Sequence, residues 1–170
     1  MGSSIRLGKV FGIPVGVHYS WFLVLLLVTY LLSDQFGDSY QGWIAAIATT
    51  LLFFLSILAH ELCHSIIAVL RGLPVKGITL FIFGGISQIA REANCPLTEF
   101  MVAIVGPLCS LLLGFSFWGL YFALRPVSHT LSDMASVLAY ANIVLAIFNI
   151  LPGFPLDGGR VLRAILWWST

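Results

Sequence analysis

The chain has 170 residues, 59% of them hydrophobic and 9% charged, with a formal net charge of +1 and a mean hydropathy of +1.02. Soluble domains carry about 25% charged residues, so this composition excludes an ordinary water-soluble globule, and the near-zero charge offers no footing for nucleic acid. One membrane domain over residues 1–170 is the expectation, because no polar stretch is long enough to fold as a second unit.

In chain order, the opening MGSS carries no weight. The run after Arg6 and Lys9 lacks a small-residue cleavage site and leads into further apolar sequence, so it is no cleavable signal. A first span is predicted from about Pro14 to Leu32, with Tyr19 and Trp21 near one end. A second runs from Trp43 to Leu70, a third from Phe100 to Leu124 and a fourth from about Met134 to Leu151. Each meets the ~20-residue requirement for crossing a hydrocarbon core, the last narrowly. From Arg160 a fifth apolar stretch begins, and the chain is expected to stop before its natural end. Between the second and third spans, VKGITLFIFGGISQIA (Val75 to Ala90) is rich in β-branched and aromatic residues around Gly84-Gly85. That pattern reads as a β-hairpin, and extended backbone at membrane depth must be buried in protein or line a wet cavity. The predicted fold class is therefore an all-α polytopic membrane protein, a transmembrane helix bundle with a membrane-embedded β-hairpin between its second and third spans.

Arg6 and Lys9 precede the first span, and Arg71, Lys76 and Arg91 lie between the second and third. The loop holding Asp34 and Asp38 has no Lys or Arg, and the loop between the third and fourth spans has only Arg125. The positive-inside rule places the N-terminus and the hairpin in the cytoplasm. Cys63, Cys95 and Cys109 are an odd set and form no disulfide framework.

The second span contains His60-Glu61-Leu62-Cys63-His64. An ionisable residue inside a span costs about 2.5–3.5 kcal/mol by insertion scales and marks function by default. His60 and His64 are one helical turn apart on one face, so two imidazoles can converge on a metal ion, with Glu61 angled toward its water as a general base. Neutral imidazoles suit zinc, and a hydrolytic zinc site takes three protein ligands. The alternative reading is a structural histidine pair bonded to backbone carbonyls, which leaves Glu61 without a role.

Among the remaining acids, Asp34, Asp38 and Asp133 fall on the far side, and Glu92 and Glu99 flank the third span. Asp157 sits in NILPGFPLDGGR, just beyond the fourth span, where Pro152, Pro155 and the glycines break the helix. His60 lies roughly 26 Å along its helix from Trp43, in a core about 30 Å thick. Topology thus brings His60, His64 and Asp157 to similar depth. His18, at the start of the first span, reads as a satisfied or interfacial histidine, and Trp167-Trp168 as an interfacial anchor.

These residues resemble the site-2 proteases, the intramembrane zinc metalloproteases of peptidase family M50. His60 to His64 is similar to the family's first motif, and Asn149 to Gly159 to its second, which ends in Leu-Asp-Gly. Gly106-Pro107-Leu108-Cys109-Ser110 resembles the Gly-Pro signature of the span between, and the Gly84-Gly85 hairpin resembles the family's membrane-embedded β element. The opening GIPVGVHYSW resembles the prokaryotic and plastid subgroup that carries cytoplasmic CBS regulatory domains. The resemblance covers about Gly12 to Arg163. It implies Zn2+ held by His60, His64 and Asp157, with Glu61 as catalytic base. It also implies that Asn149 helps hold the substrate carbonyl or its oxyanion, whereas Asn149 read from its position alone serves equally well as a helix C-cap.

The implied activity is hydrolysis of a peptide bond within or near a transmembrane segment, that is, regulated intramembrane proteolysis. The expected partners are the lipid bilayer and a single-span membrane substrate such as a membrane-anchored transcription or anti-sigma factor, with no nucleic acid. The expected location is multi-pass, with the active site near the cytoplasmic side, in the cell membrane if the source is prokaryotic. Substrate binding is expected at Gly84, Gly85, Ile86 and Ser87, where a hairpin edge can pair with an unwound segment by strand addition, and at Asn149. The competing class is a metal-ion transporter or a non-catalytic metal-binding membrane protein using the same His/Asp site. Against transport, no inverted repeat is evident and Glu61 suits water activation. A di-iron oxidase needs more than the four histidines present, and an aspartyl protease needs a second membrane-embedded Asp.

Overall fold

The computed structural model describes residues 4–37, 39–82, 84–153 and 155–169. Asp38, Phe83 of the hairpin and Phe154 of the second motif lie outside the described residues. The order of elements is β1 (Ser4–Val10), β2 (Ile13–His18), α1 (Ser20–Phe36), α2 (Tyr40–Leu70), β3 (Val75–Phe81), β4 (Gly84–Ile89), α3 (Pro96–Leu124), α4 (His129–Ile150) and α5 (Asp157–Trp168).

Among the described residues, three helices, α2, α3 and α4, are long and apolar enough to cross a membrane. Their outward faces carry large exposed apolar side chains, among them Leu55, Leu112, Trp118 and Ile147, as a surface facing hydrocarbon would. Helix α1 is apolar but shorter, with 17 residues. The first predicted span began too early. Pro14 to His18 is strand, and the helix starts at Ser20, where the hydroxyl bonds Nδ1 of His18 (2.8 Å) and the backbone N–H donates to it (3.2 Å). The alternation of Val15, Gly16 and Val17 suits a pleated strand, and its partner is not local. Strand β2 pairs in parallel with β3, Val15 opposite Ile78 and Val17 opposite Leu80.

The hairpin is consequently half of a four-stranded sheet ordered β1-β2-β3-β4, which corrects the expectation of a helix bundle with one hairpin. Glycines 84 and 85 do not form its turn. Phe81 pairs with Gly84 and Leu80 with Gly85, so both glycines open strand β4. The sheet lies at one end of the bundle. Val17 and Leu80 join Phe54 and Ile57 of α2 in a buried cluster, against which Trp21 and Leu25 of α1 pack. This parallel pairing puts the segments before α1 and after α2 on the same side of the bundle.

Between helices, small and hydroxyl side chains allow close approach. A Cβ added at Gly114 of α3 would stand 2.7 Å from Cγ1 of Ile143 on α4. Asn142 of α4, fully buried, donates through Nδ2 to Ser56 of α2 (3.2 Å), and Thr29 of α1 donates to Thr50 of α2 (3.2 Å).

Candidate metal centre and active site

Helix α2 continues unbroken through residues 60 to 64, so the i, i+4 spacing places both imidazoles on the face turned to α3. His60 and His64 are each 3% exposed. Their ring nitrogens are committed on both sides. Nδ1 of His60 meets Oγ of Ser110 at 2.9 Å, and Nδ1 of His64 meets the Val102 carbonyl at 2.6 Å. A carbonyl can only accept, so His64 carries its proton on Nδ1, and in the neutral ring Nε2 is left with a lone pair. That nitrogen faces Nε2 of His60 at 3.1 Å and Oδ2 of Asp157 at 3.0 Å. The same Asp157 oxygen is 3.1 Å from Nε2 of His60.

Gly106 makes this convergence possible. A Cβ there would stand 2.1 Å from Nε2 of His64 and 2.8 Å from Nε2 of His60. The Gly-Pro signature read in the sequence is therefore a seat for the two rings on α3.

Asp157 is the first residue of α5, just after the segment broken by Pro152 and Pro155. Gly158 permits the tight corner, since a Cβ there would lie 2.0 Å from the Ile150 carbonyl oxygen.

His60, His64 and Asp157 form a group in which one atom from each lies within 4.8 Å of the others. With the His60 proton likewise on Nδ1, donated to the Ser110 hydroxyl, all three converging atoms are electron-pair donors, an arrangement that a divalent cation satisfies. Ligands ~2.0–2.1 Å from a tetrahedral zinc ion are about 3.3 Å apart, close to the 3.0–3.1 Å seen among these three atoms. The donor set fits zinc.

A cavity of about 720 Å³ opens beside the triad, lined by Glu61, His64, Gly85, Ile86, Ser87 and Asn149, with Asp157 and Arg160 on its wall. Its size is within the range of ligand and substrate pockets. Glu61 is half-buried next to the start of β4, where a Cβ at Gly85 would collide with its Cγ at 2.4 Å. Oγ of Ser65 and Oγ of Ser87 are 2.7 Å apart and tie α2 to β4. Asn149 lies within the last turn of α4, whose cap is Leu151, so it is not the C-cap. Its Nδ2 donates to the Leu145 carbonyl (2.9 Å). Gly84 stands at the head of β4 opposite Phe81 and is not part of the cavity wall.

Sequence reasoning did not assign the partners that orient the histidines. Val102 acts through a carbonyl, which no side chain signals. Ser110 had a signal, a hydroxyl four residues beyond Gly106 on an apolar helix. Glu99, read as merely flanking the third span, is 1% exposed.

Comparison with known proteins gives the chain its relatives. The model of peptidase family M50 matches residues 48–127 and 125–170. Over its whole length the chain is 43% identical to a candidate zinc metalloprotease of Synechocystis sp., sll0528, and covers 46% of that protein. It is 34% identical to the zinc metalloprotease MJ0392 of Methanocaldococcus jannaschii, with 98% of this chain and 46% of that protein aligned. The chain thus spans about half the length of the curated relatives it matches. The structure superposes on the site-2 protease from Methanocaldococcus jannaschii with a TM-score of 0.71 at 32% identity, covering 96% of this chain and 71% of that one. With the family's match extending over both the histidine pair and Asp157, the chain belongs to peptidase family M50.

Proposed function

We infer that this chain is the catalytic membrane domain of an intramembrane zinc metalloprotease, which cuts a peptide bond within or near a transmembrane segment of another membrane protein. The observation that carries this reading is the convergence of His60, His64 and Asp157 beside Glu61 on the wall of one cavity. His60, His64 and Asp157 would hold the metal. When bound, zinc supplies Lewis acidity that makes water a competent nucleophile near neutral pH. Glu61, on the cavity wall, would take a proton from the attacking water at its carboxylate and return it to the leaving amine. Asn149, across the cavity, would hold the substrate carbonyl.

A substrate helix hides its peptide bonds in its own hydrogen bonds and must unwind locally. Strand β4 is an edge of the sheet, and Ile86 and Ser87 line the cavity, so an extended substrate segment can add to that edge through its backbone. The substrate class that fits is a single-span membrane protein, including membrane-anchored transcription or anti-sigma factors. The basic residues Arg6, Lys9, Arg71, Lys76 and Arg91 cluster on the sheet side of the bundle. By the positive-inside rule that side, with the N-terminus and the active site, is cytoplasmic. Membership of the subgroup with CBS regulatory domains rests on GIPVGVHYSW, which folds as β2 and the start of α1.

The test combines metal analysis with cleavage of a model single-span substrate in detergent. Wild type should carry about one zinc per chain and cleave. Glu61→Gln should keep the zinc and lose cleavage by a factor of 10² or more, within the range of a lost general base. Substantial cleavage by Glu61→Gln would sink the mechanism, and zinc binding without cleavage by wild type would favour a non-catalytic metal protein.

A further inference from the structure

One face of α3 supports both histidines, and the same face reaches the third ligand through a charged cluster. Val102 and Ser110 bond the two rings, and Gly106 seats them. One turn before Val102, on the same stripe, stands Glu99, buried to 1% exposure in the first turn of α3. Its carboxylate accepts from Nε of Arg160 at 3.0 Å and from Nη2 of Arg163 at 2.7 Å. Both arginines belong to α5, the helix that begins at Asp157, and Arg160 follows Asp157 by one turn. Helix α5 packs mainly on α3 and far less on α4, from which the chain reaches it.

A buried carboxylate is costly unless paired and fully hydrogen-bonded, and here the pairing is spent on one helix. We propose that Glu99 is a positioning residue for the metal centre. By clamping Arg160 and Arg163 it sets the depth and rotation of α5, so that Oδ2 of Asp157 meets both imidazoles. Glu92, at the rim, adds an exposed contact to Arg163 at 3.8 Å and contributes little. The inference rests on Asp157 being a metal ligand, and the experiment separates the two.

The full chain in detergent is loaded with zinc, and zinc transfer to a chromogenic chelator is timed for wild type, Glu99→Gln, Asp157→Asn and the double variant. Loss of a group that orients a ligand weakens metal binding about 10–100-fold. Glu99→Gln should therefore release zinc about tenfold faster than wild type, and Asp157→Asn faster still. The double variant should release it no faster than Asp157→Asn alone, because Glu99 acts through Asp157. Wild-type release by Glu99→Gln, or the same tenfold acceleration in the Asp157→Asn background, overturns the clamp and leaves the ligand reading intact. Wild-type release by Asp157→Asn overturns the ligand reading and the clamp with it. Should Glu99→Gln not fold, Arg163→Gln, with its side chain half exposed, carries the same cycle with the same expected and overturning results.

Discussion

The metal corner and the strand edge lie on either side of Glu61 and are built on different principles. At the corner, His60 and His64 are almost wholly buried, and each Nδ1 is held by a partner on α3. At the edge, β4 alternates, with Ile86 and Gln88 exposed and Ser87 and Ile89 turned inward. A metal site tolerates little displacement, and its ligands need supporting contacts that lock them. A surface that received varied sequences, the role proposed for β4, would need backbone groups on offer and few demanding side-chain contacts. Substitutions should therefore act on metal and cleavage together at the corner, and on cleavage alone at the edge.

The sharpest test of that division is Gly106→Ala. The new methyl would occupy the space of both Nε2 atoms, so zinc content and cleavage should both fall to background, while the helical circular dichroism of the detergent-solubilised protein persists. Near-normal zinc in this variant would show that α2 and α3 can separate, and the corner would not be the rigid region described. A smaller effect is expected from Ser110→Ala, which removes the partner of His60 Nδ1. Zinc affinity should drop about 10–100-fold, and cleavage at saturating zinc should recover much of its wild-type rate. If added zinc restores nothing, Ser110 does more than orient the ring.

The mildest effect is expected at the edge. Proline placed in turn at positions 86, 87, 88 and 89 removes one backbone donor each time, and alternate donors of an edge strand point outward. Cleavage should fall severalfold in an alternating pattern, with zinc content unchanged throughout. Uniformly normal cleavage would mean that the substrate does not add to β4, and the comparison between corner and edge would lose its second half.

Some of this was legible without coordinates because it is local. The i, i+4 spacing of His60 and His64 fixes their shared face in any helix, and α2, α3 and α4 follow from uninterrupted apolar length. The hairpin at Val75 to Ala90 was legible from β-branched and aromatic content, but its turn was misplaced onto Gly84-Gly85. Those glycines serve the strand, and Gly85 is needed because Glu61 passes over it, a contact between distant segments. The same limit explains β2. Pro14 to His18 reads as the start of an apolar span until its parallel partner, β3, is known.

The sequence by itself determined a chain of long apolar helices, the paired histidines with Glu61 between them, and Asp157 as the acid of a broken segment beyond the fourth apolar stretch. These depend on helical periodicity and length, which neighbouring residues impose on one another. Only the tertiary structure decided that four strands form one sheet and that Gly106 seats the imidazoles. It also showed the Val102 carbonyl holding the proton of His64 and Glu99 gripping the helix that carries Asp157. Each of these is a contact between residues far apart in the chain, made by a backbone group, a missing side chain or a buried charge, and its meaning exists only once the helices have packed.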